Sequence, residues 1–400
     1  MDNNIALPIV RRGTIAVMSI ACGVMVGNIY LCQPLLDEIA RSFGVAERTA
    51  GFVAVAAQIG YAIGILFVVP LADVSEPKRL VRLLMGVTTV GLIGASFAPG
   101  IPLLVVASLV VAAATVVPQM LIPLATSLVE PERRGRVIGS LQTGLIMGIL
   151  LSRTVSGTAA TIAGTWRAPY LLAAVATAAL FFVLPSFMPD HVARRSKQSY
   201  AALLKSLPPL LALGPVRVSA GLGFCVFAAF SAFWATLAFH LATPAFGLGA
   251  AATGLFGLWG APGAILAPIG GRLSDRVGSN LVNLTALACA GLAFAVAGTI
   301  GATSVLALVV AVNFLDFGLQ SGQVANQARI FALGNDIRAR LNTVYMVAVF
   351  GGGAFGSLAG TVAWSAAGWT GVCALSGALV ALAAAILAVS WARGAKGKPA

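Results

Sequence analysis

A row of polar side chains interrupts an otherwise apolar stretch between Ala311 and Gln327. The steps of three, four, three and four residues keep the row within an arc of roughly 80° on one helix face. Helix packing in lipid needs only one or two polar groups, so we interpret the row as a wall facing water rather than a hydrogen-bonding seam. The row consists of Asn313, Asp316, Gln320, Gln323 and Gln327.

Asp316 is the one acid well inside an apolar segment of this chain. Because a carboxylate is costly to bury in a bilayer, an intramembrane acid is first of all a candidate functional group. A carboxyl group at this depth can couple a conformational change to a proton if it takes up that proton near cytoplasmic pH. We therefore select Asp316 as the candidate proton-coupling residue.

Arg153 is the one basic residue inside an apolar segment. It lies about 25 Å along a predicted helix from Arg136, and Gln142 shares its face. The guanidinium could bind an anionic substrate or pair with an acid across a cavity. Alternatively, the guanidinium could extend to the membrane surface or hold neighbouring helices together. The depths expected for Arg153 and Asp316 differ by several ångströms, so no direct salt bridge is predicted.

Other polar residues lie near the ends or bends of apolar stretches. Gln119 lies between Pro118 and Pro123, where proline frees backbone carbonyls and bends a helix, so Gln119 faces either a cavity or its own kink. Asn28 and Gln33 differ by roughly 140° around one helix, so at most one faces a central path. The predicted cavity residues are Asn28, Gln33, Gln119, Gln142, Arg153, Asn313, Gln320 and Gln323.

The composition indicates in which kind of secondary structure these residues lie. The chain has 400 residues, of which 59% are hydrophobic and 9% charged, and its mean hydropathy is +0.97. Soluble domains carry about 25% charged residues. We therefore predict an all-α polytopic membrane protein. Spans of about 20 residues fall near 13–36, 49–70, 80–98, 102–128, 137–160, 168–187, 216–241, 250–270, 280–299, 303–328, 341–363 and 370–391.

These twelve spans divide into two six-helix halves, residues 1–188 and 216–400, joined by a linker over 189–215. With the N-terminus inside, 21 Lys and Arg residues fall on the inner side and three on the outer side. Both termini are thus expected in the cytoplasm. The net charge of +13 is then a topology signal and not an indication of nucleic-acid binding.

Corresponding residues recur in the two halves at an offset of 202–204, as in Asp73 with Asp275 and Arg136 with Arg340. An internal duplication of this size is typical of secondary transporters, which bind substrate between the repeats. The segment Gly271–Gly278 resembles the Gly-x-x-x-Asp-Arg-x-Gly loop of the major facilitator superfamily. The first copy keeps Asp73 but has Val74 in place of the arginine.

The resemblance implies twelve helices around a central cavity that opens alternately to the two sides. It also implies that the paired loops close the inner side, with Asp73 near basic residues and a helix N-terminus. The other interpretation is that these acids only offset the basic inner loops. The residues of this predicted cytoplasmic gate are Asp73, Lys78, Arg79, Arg136, Asp275, Arg276, Arg338 and Arg340.

The end of the first span, Tyr30-x-x-Gln33-Pro34-Leu35-Leu36, is similar to bacterial exporters of that superfamily. This similarity favours proton-coupled export of a small organic compound, such as a drug or metabolite, across a bacterial inner membrane. An importer or uniporter of a polar solute, or a non-transporting receptor, remains an alternative. The expected partners are substrate, protons and lipid, with no nucleic acid, and the chain is expected to be a monomer.

The run Gly351–Gly356 matches a dinucleotide-binding pattern by letters only, because no strand precedes it. Small residues four apart, Gly352 with Gly356 and Gly144 with Gly148, instead predict close helix contacts. The sequence has no catalytic triad, phosphate-binding loop or metal-ligand spacing. We therefore expect no enzyme activity, cofactor or metal.

Overall fold

The computed structural model describes residues 13–189, 199–265, 278–334 and 336–396. Every regular element in these ranges is a helix, which confirms the all-α membrane fold. Ten stretches are long and apolar enough to cross a membrane. They are Thr14–Phe43, Glu47–Val74, Pro77–Ser96, Ile101–Ser127, Arg134–Ala163, Arg167–Phe187, Gly214–Ala242, Ser279–Gly298, Val305–Phe331 and Arg338–Arg393.

Two further features reconcile these ten stretches with the predicted spans. Arg338–Arg393 contains the eleventh and twelfth spans, because Ala367 and Gly368 leave helical geometry and Gly368 has a φ of 59°. The eighth span is described as the helices Ala250–Trp259 and Ala261–Ile265. Spans are numbered below in this chain order, with Ser279–Gly298 the ninth and Val305–Phe331 the tenth.

Several predicted boundaries change in the structure. The first span continues beyond residue 36 to Phe43, through a short 3-10 turn at Gln33–Leu35. The fourth span is broken into Ile101–Ala114 and Pro118–Ser127. Pro118 explains the break, since proline has no backbone N–H to donate and fits best in a first helical turn.

Part of the linker is helical in the described residues. Ser199 caps the helix Tyr200–Lys205 by accepting a hydrogen bond from the backbone N–H of Ala202. A 3-10 turn follows at Pro208–Ala212. The Tyr200 hydroxyl donates to the Phe67 carbonyl at 2.7 Å, so this short helix contacts the end of the second span.

Glycines form the predicted close contacts between helices. A Cβ on Gly144 or Gly148 of the fifth span would overlap the backbone of Ser19 or Gly23 in the first span. Cβ atoms on Gly352 and Gly356 would likewise overlap the backbone of the seventh span. Both small-residue pairs therefore lie where two backbones meet, as the sequence predicts.

The two halves contact each other mainly in the membrane half that the charge pattern places outside. Gly254 and Gly257 of the eighth span lie against the backbone of the fifth span near Arg153 and Leu150. The Trp364 indole of the eleventh span donates a hydrogen bond to Glu47 at the start of the second span. The structure is thus closed on the predicted outer side.

The opposite half of the fifth span is far less covered. Among residues 134–149 only Val137 and Leu141 are buried, whereas five residues between 150 and 160 are buried, Arg153 among them. The burial therefore places Arg153 where the two halves meet.

We expect Gly148→Val to lower the free energy of unfolding by about 1–3 kcal/mol, because the added side chain must push the first and fifth spans apart. The measurement is the Tm of the purified protein in detergent. Gly139→Val is the matched control, since nothing lies within 4 Å of a Cβ at Gly139. Equal Tm values for the two variants would contradict this packing.

Candidate functional site

Asp316 lies near the middle of the tenth span and is 5% exposed. Its carboxylate faces Gly260 of the eighth span, where a Cβ would overlap the Oδ2 atom. Gly260 separates the two helices of the eighth span, so the carboxylate packs against a break in that span. The Oδ2 atom is buried and has no hydrogen-bond partner among the described residues.

Asn313 holds the tenth span against the same break. Its Nδ2 donates to the Trp259 carbonyl at 2.7 Å, and its Oδ1 accepts from the Gly263 N–H at 3.0 Å. The Asn313 amide therefore satisfies backbone groups on both sides of the break. Since Asp316 lies one turn further along, this contact fixes the position of its carboxylate.

Arg153 is buried in the interior and does not extend to the membrane surface, because it is only 1% exposed. Its Nε donates to the Gln33 Oε1 of the first span at 2.7 Å. Its Cζ lies 3.8 Å from the ring centroid of Trp234, 4.8 Å from that of Tyr30 and 5.8 Å from that of Phe230. These rings offer the guanidinium cation–π contacts from both halves.

Arg153 and Asp316 come from opposite halves but do not touch. No ion pair within 4.0 Å joins them in the described part of the chain. The Arg153 Nη2 and the Asp316 Oδ2 are both buried without a hydrogen-bond partner. The site therefore contains a buried guanidinium from one half and a buried carboxyl group from the other, each with one atom that lacks a hydrogen-bond partner in the described part of the chain.

Polar residues of the fourth span bridge neighbouring helices. The Gln119 Nε2 donates to the Tyr61 hydroxyl at 3.2 Å. The Asn28 Nδ2 donates to Thr115 Oγ1 at 3.5 Å, and Thr115 donates to the Met25 carbonyl. Asn28 and Gln33 both belong to the first span. Asn28 contacts the fourth span, whereas Gln33 contacts Arg153 of the fifth span.

The remaining polar residues of the tenth span have different surroundings. The Gln327 Nε2 donates to Asn342 Oδ1 of the eleventh span at 3.1 Å. Gln323 lines a small cavity in the second half with Asn326 and Tyr345. Gln320 is half-buried, and Gln142 on the fifth span is exposed and lies outside the cluster around Arg153.

The predicted gate is only partly described. Asp73, Lys78 and Arg340 are half-buried, and Arg79, Arg136 and Arg338 are exposed. The Arg338 Cζ lies 5.3 Å from the Phe331 ring centroid. Asp275 and Arg276 lie outside the described residues. The gate therefore stays a prediction.

Sequence reasoning did not select the aromatic rings around Arg153 or Gly260 opposite Asp316. A signal for the rings exists in the seventh span, where an aromatic residue recurs at every third position. That row consists of Phe224, Phe227, Phe230 and Phe233, followed by Trp234. No such signal exists for Gly260, which is one of 45 glycines.

The Major Facilitator Superfamily model matches residues 18–330. The chain is 38% identical over 369 residues to the uncharacterized transporter YgaY of Escherichia coli O157:H7, covering 92% of this chain and 93% of that protein. It is 36% identical over 382 residues to the probable transporter SCO4007 of Streptomyces coelicolor, covering 94% of this chain and 87% of that protein.

Solved structures share the fold at low sequence identity. The nucleoside transporter NupG superposes with a TM-score of 0.74 at 13% identity, covering 95% of this chain and 98% of that one. The peptide transporter POT superposes with a TM-score of 0.71 at 15% identity, covering 94% of this chain and 93% of that one.

We expect Gln33→Leu to lower the free energy of unfolding by about 1–3 kcal/mol, because the buried Nε–H of Arg153 loses its acceptor. The Tm in detergent measures the effect. Gln142→Leu makes the same chemical change at an exposed position of the fifth span and should leave the Tm nearly unchanged. A Gln33→Leu variant as stable as this control would show that the hydrogen bond contributes little.

Proposed function

This chain belongs to the major facilitator superfamily of membrane transporters, and on that premise we propose that it couples proton entry to the export of a small organic compound. The two halves would open the central site alternately to the two sides of a bacterial inner membrane, with both termini in the cytoplasm. The working unit would be a monomer, and Asp316 would carry the coupled proton.

The observation that carries this proposal is the buried, unpaired carboxylate oxygen of Asp316. An ionised carboxylate without a partner is strongly disfavoured in a low-dielectric interior, so it favours either a proton or a charged partner. A group that alternates between the two can couple proton binding to ligand binding.

The position of Arg153 in the other half gives the proton a conformational effect. An ionised Asp316 attracts the guanidinium across the contact between the halves, whereas a protonated Asp316 does not. A ligand shifts a conformational equilibrium only by as much as its affinity for the two states differs. Proton binding would thus change how strongly the two halves hold together on the outer side.

Export is favoured over import by the end of the first span. Tyr30 and Gln33, which give this segment its similarity to bacterial exporters, also contact Arg153. The segment that carries the resemblance therefore lies at the candidate site. If protons and substrate compete for the same carboxylate, protons that enter down their gradient drive substrate out.

The test is transport by the purified protein in proteoliposomes under an imposed pH gradient. A thermal-shift screen first identifies a ligand, since binding to the native state raises the Tm. We expect the wild-type protein to accumulate this ligand against its concentration gradient. Asp316→Asn should lose accumulation, because an amide cannot exchange the proton, but should still exchange labelled for unlabelled ligand.

Asp37→Asn is the matched control, since it makes the same change in the ion pair between Asp37 and Arg41, away from the central cluster. This variant should accumulate the ligand as the wild type does. Undiminished pH-driven accumulation by Asp316→Asn would overturn the assignment of the proton. Wild-type protein that only equilibrates the ligand would indicate a uniporter, and binding without flux would indicate a receptor.

A further inference from the structure

Several buried side-chain nitrogen and oxygen atoms in the described residues have no hydrogen-bond partner, but only two of them belong to charged groups. These two atoms are Nη2 of Arg153 and Oδ2 of Asp316. Leaving a buried polar atom unpaired costs free energy, and the cost is larger for a charged group. An unpaired buried atom of this kind needs an explanation, and an absent ligand is one of the few available.

A third unpaired atom lies beside the guanidinium. The Nε1–H of Trp234 is buried without an acceptor, and the Trp234 ring lies directly against Arg153, with 3.8 Å between the ring centroid and Cζ. The site therefore has donors from both halves at one end. An arginine nitrogen and an indole nitrogen can only donate hydrogen bonds, so the partner that fits both is an acceptor such as a carboxylate.

The other end of the site has the opposite requirement. Oδ2 of an ionised Asp316 can only accept, so it awaits a donor such as an ammonium group. The absence of a side chain on Gly260 is what allows this oxygen its position, since a Cβ there would overlap it. The two charges lie on opposite halves, and no ion pair within 4.0 Å neutralises them.

We infer that the substrate is a small zwitterion whose carboxylate binds Arg153 and Trp234 and whose ammonium group binds Asp316. This inference rests on the proposed function and names the substrate class of the same site. A bound anion would satisfy Arg153 but would give the carboxylate of Asp316 no donor other than a proton, and a bound cation would leave Nη2 of Arg153 without an acceptor. A zwitterion satisfies both charges at once, which is the condition under which buried charges are tolerated.

The rings of Tyr30 and Phe230 form an apolar surface beside the guanidinium, so we expect an apolar part of the substrate to pack there. Their centroids lie 4.8 Å and 5.8 Å from the guanidinium carbon, and both side chains are at least nine-tenths buried. These rings close over Arg153 in the present conformation. The substrate therefore enters and leaves only when the two halves move apart.

The zwitterion also explains how the proton is exchanged. An ammonium group and a proton compete for the same carboxylate, so the binding of one expels the other. In the described chain Arg153 is the charged group that acts on Asp316, and the Tyr30 phenol beside the guanidinium is neutral. Because Arg153 keeps its charge throughout, Asp316 is the group that alternates.

The experiment measures ligand binding to the purified full-length protein without any gradient. The probes are the common amino acids and their dipeptides, each with its N-acetyl form, which lacks the ammonium group, and its C-terminal amide, which lacks the carboxylate. We expect at least one zwitterion to raise the Tm of the wild type. Removing either charge from that compound should weaken its Kd at least about tenfold.

Each variant should lose the preference for one charged group of the ligand and keep the preference for the other. A structural defect would instead weaken the binding of every ligand. Asp316→Asn should bind the N-acetyl form within about threefold of the zwitterion, because the acid that selects the ammonium group is gone. Arg153→Gln should bind the C-terminal amide within about threefold of the zwitterion, because the cation that selects the carboxylate is gone. Trp234→Phe keeps the ring but removes the N–H, so it tests the carboxylate end if Arg153→Gln does not fold. Asp37→Asn should keep the wild-type preference.

A panel in which no zwitterion stabilises the wild type would overturn the inference. Equal affinity of the wild type for a zwitterion and its N-acetyl form would do the same. The proposed function fails by a different result. Proton-driven flux of a compound that is not a zwitterion would contradict the inference about the substrate and leave the proposed transport function intact. Zwitterion binding with flux that does not depend on protons would contradict proton coupling and leave the substrate class intact.

Discussion

The burial of one guanidinium is the constraint on which the centre of this structure depends. A cation in the interior of a membrane protein needs partners, and Arg153 finds them in Gln33 and in aromatic rings from both halves. Those partners lie on the first and seventh spans, and the fifth span itself packs closely against the first and the eighth. Glycines make both approaches possible, Gly144 and Gly148 on one side and Gly254 and Gly257 on the other.

The proposed function depends on where Arg153 and Asp316 lie in this packing. Arg153 belongs to the first half and Asp316 to the second, so any movement that separates the halves separates the charges as well. In the proposed function such a divided site would be complete in one conformation and separated in another, as alternating access requires. Under the proposed function the two halves would have different tasks, since one would carry a permanent charge and the other a charge that a proton can remove.

Much of the fold can be predicted from the sequence because hydrophobic length and charge are local properties. The apolar runs predict the spans, and Pro118 and Pro123 predict a bend in the fourth span, which the structure shows as a break before Pro118. The candidate site is predicted less completely. Asp316 and Arg153 stand out because charges are rare in apolar runs, but Trp234, Phe230 and Gly260 do not, since their roles come from neighbours that are distant in the chain.

The sequence by itself thus determined the membrane class and the order of the helices, because both follow from the apolar runs along the chain. It did not determine how each helix is rotated about its axis or which side chains meet. Asn313 was predicted to face a cavity, yet its amide bonds the backbone of the eighth span. Only the tertiary structure could decide which polar atoms find a partner and which remain unpaired, because hydrogen bonding depends on distances between helices that no local pattern encodes.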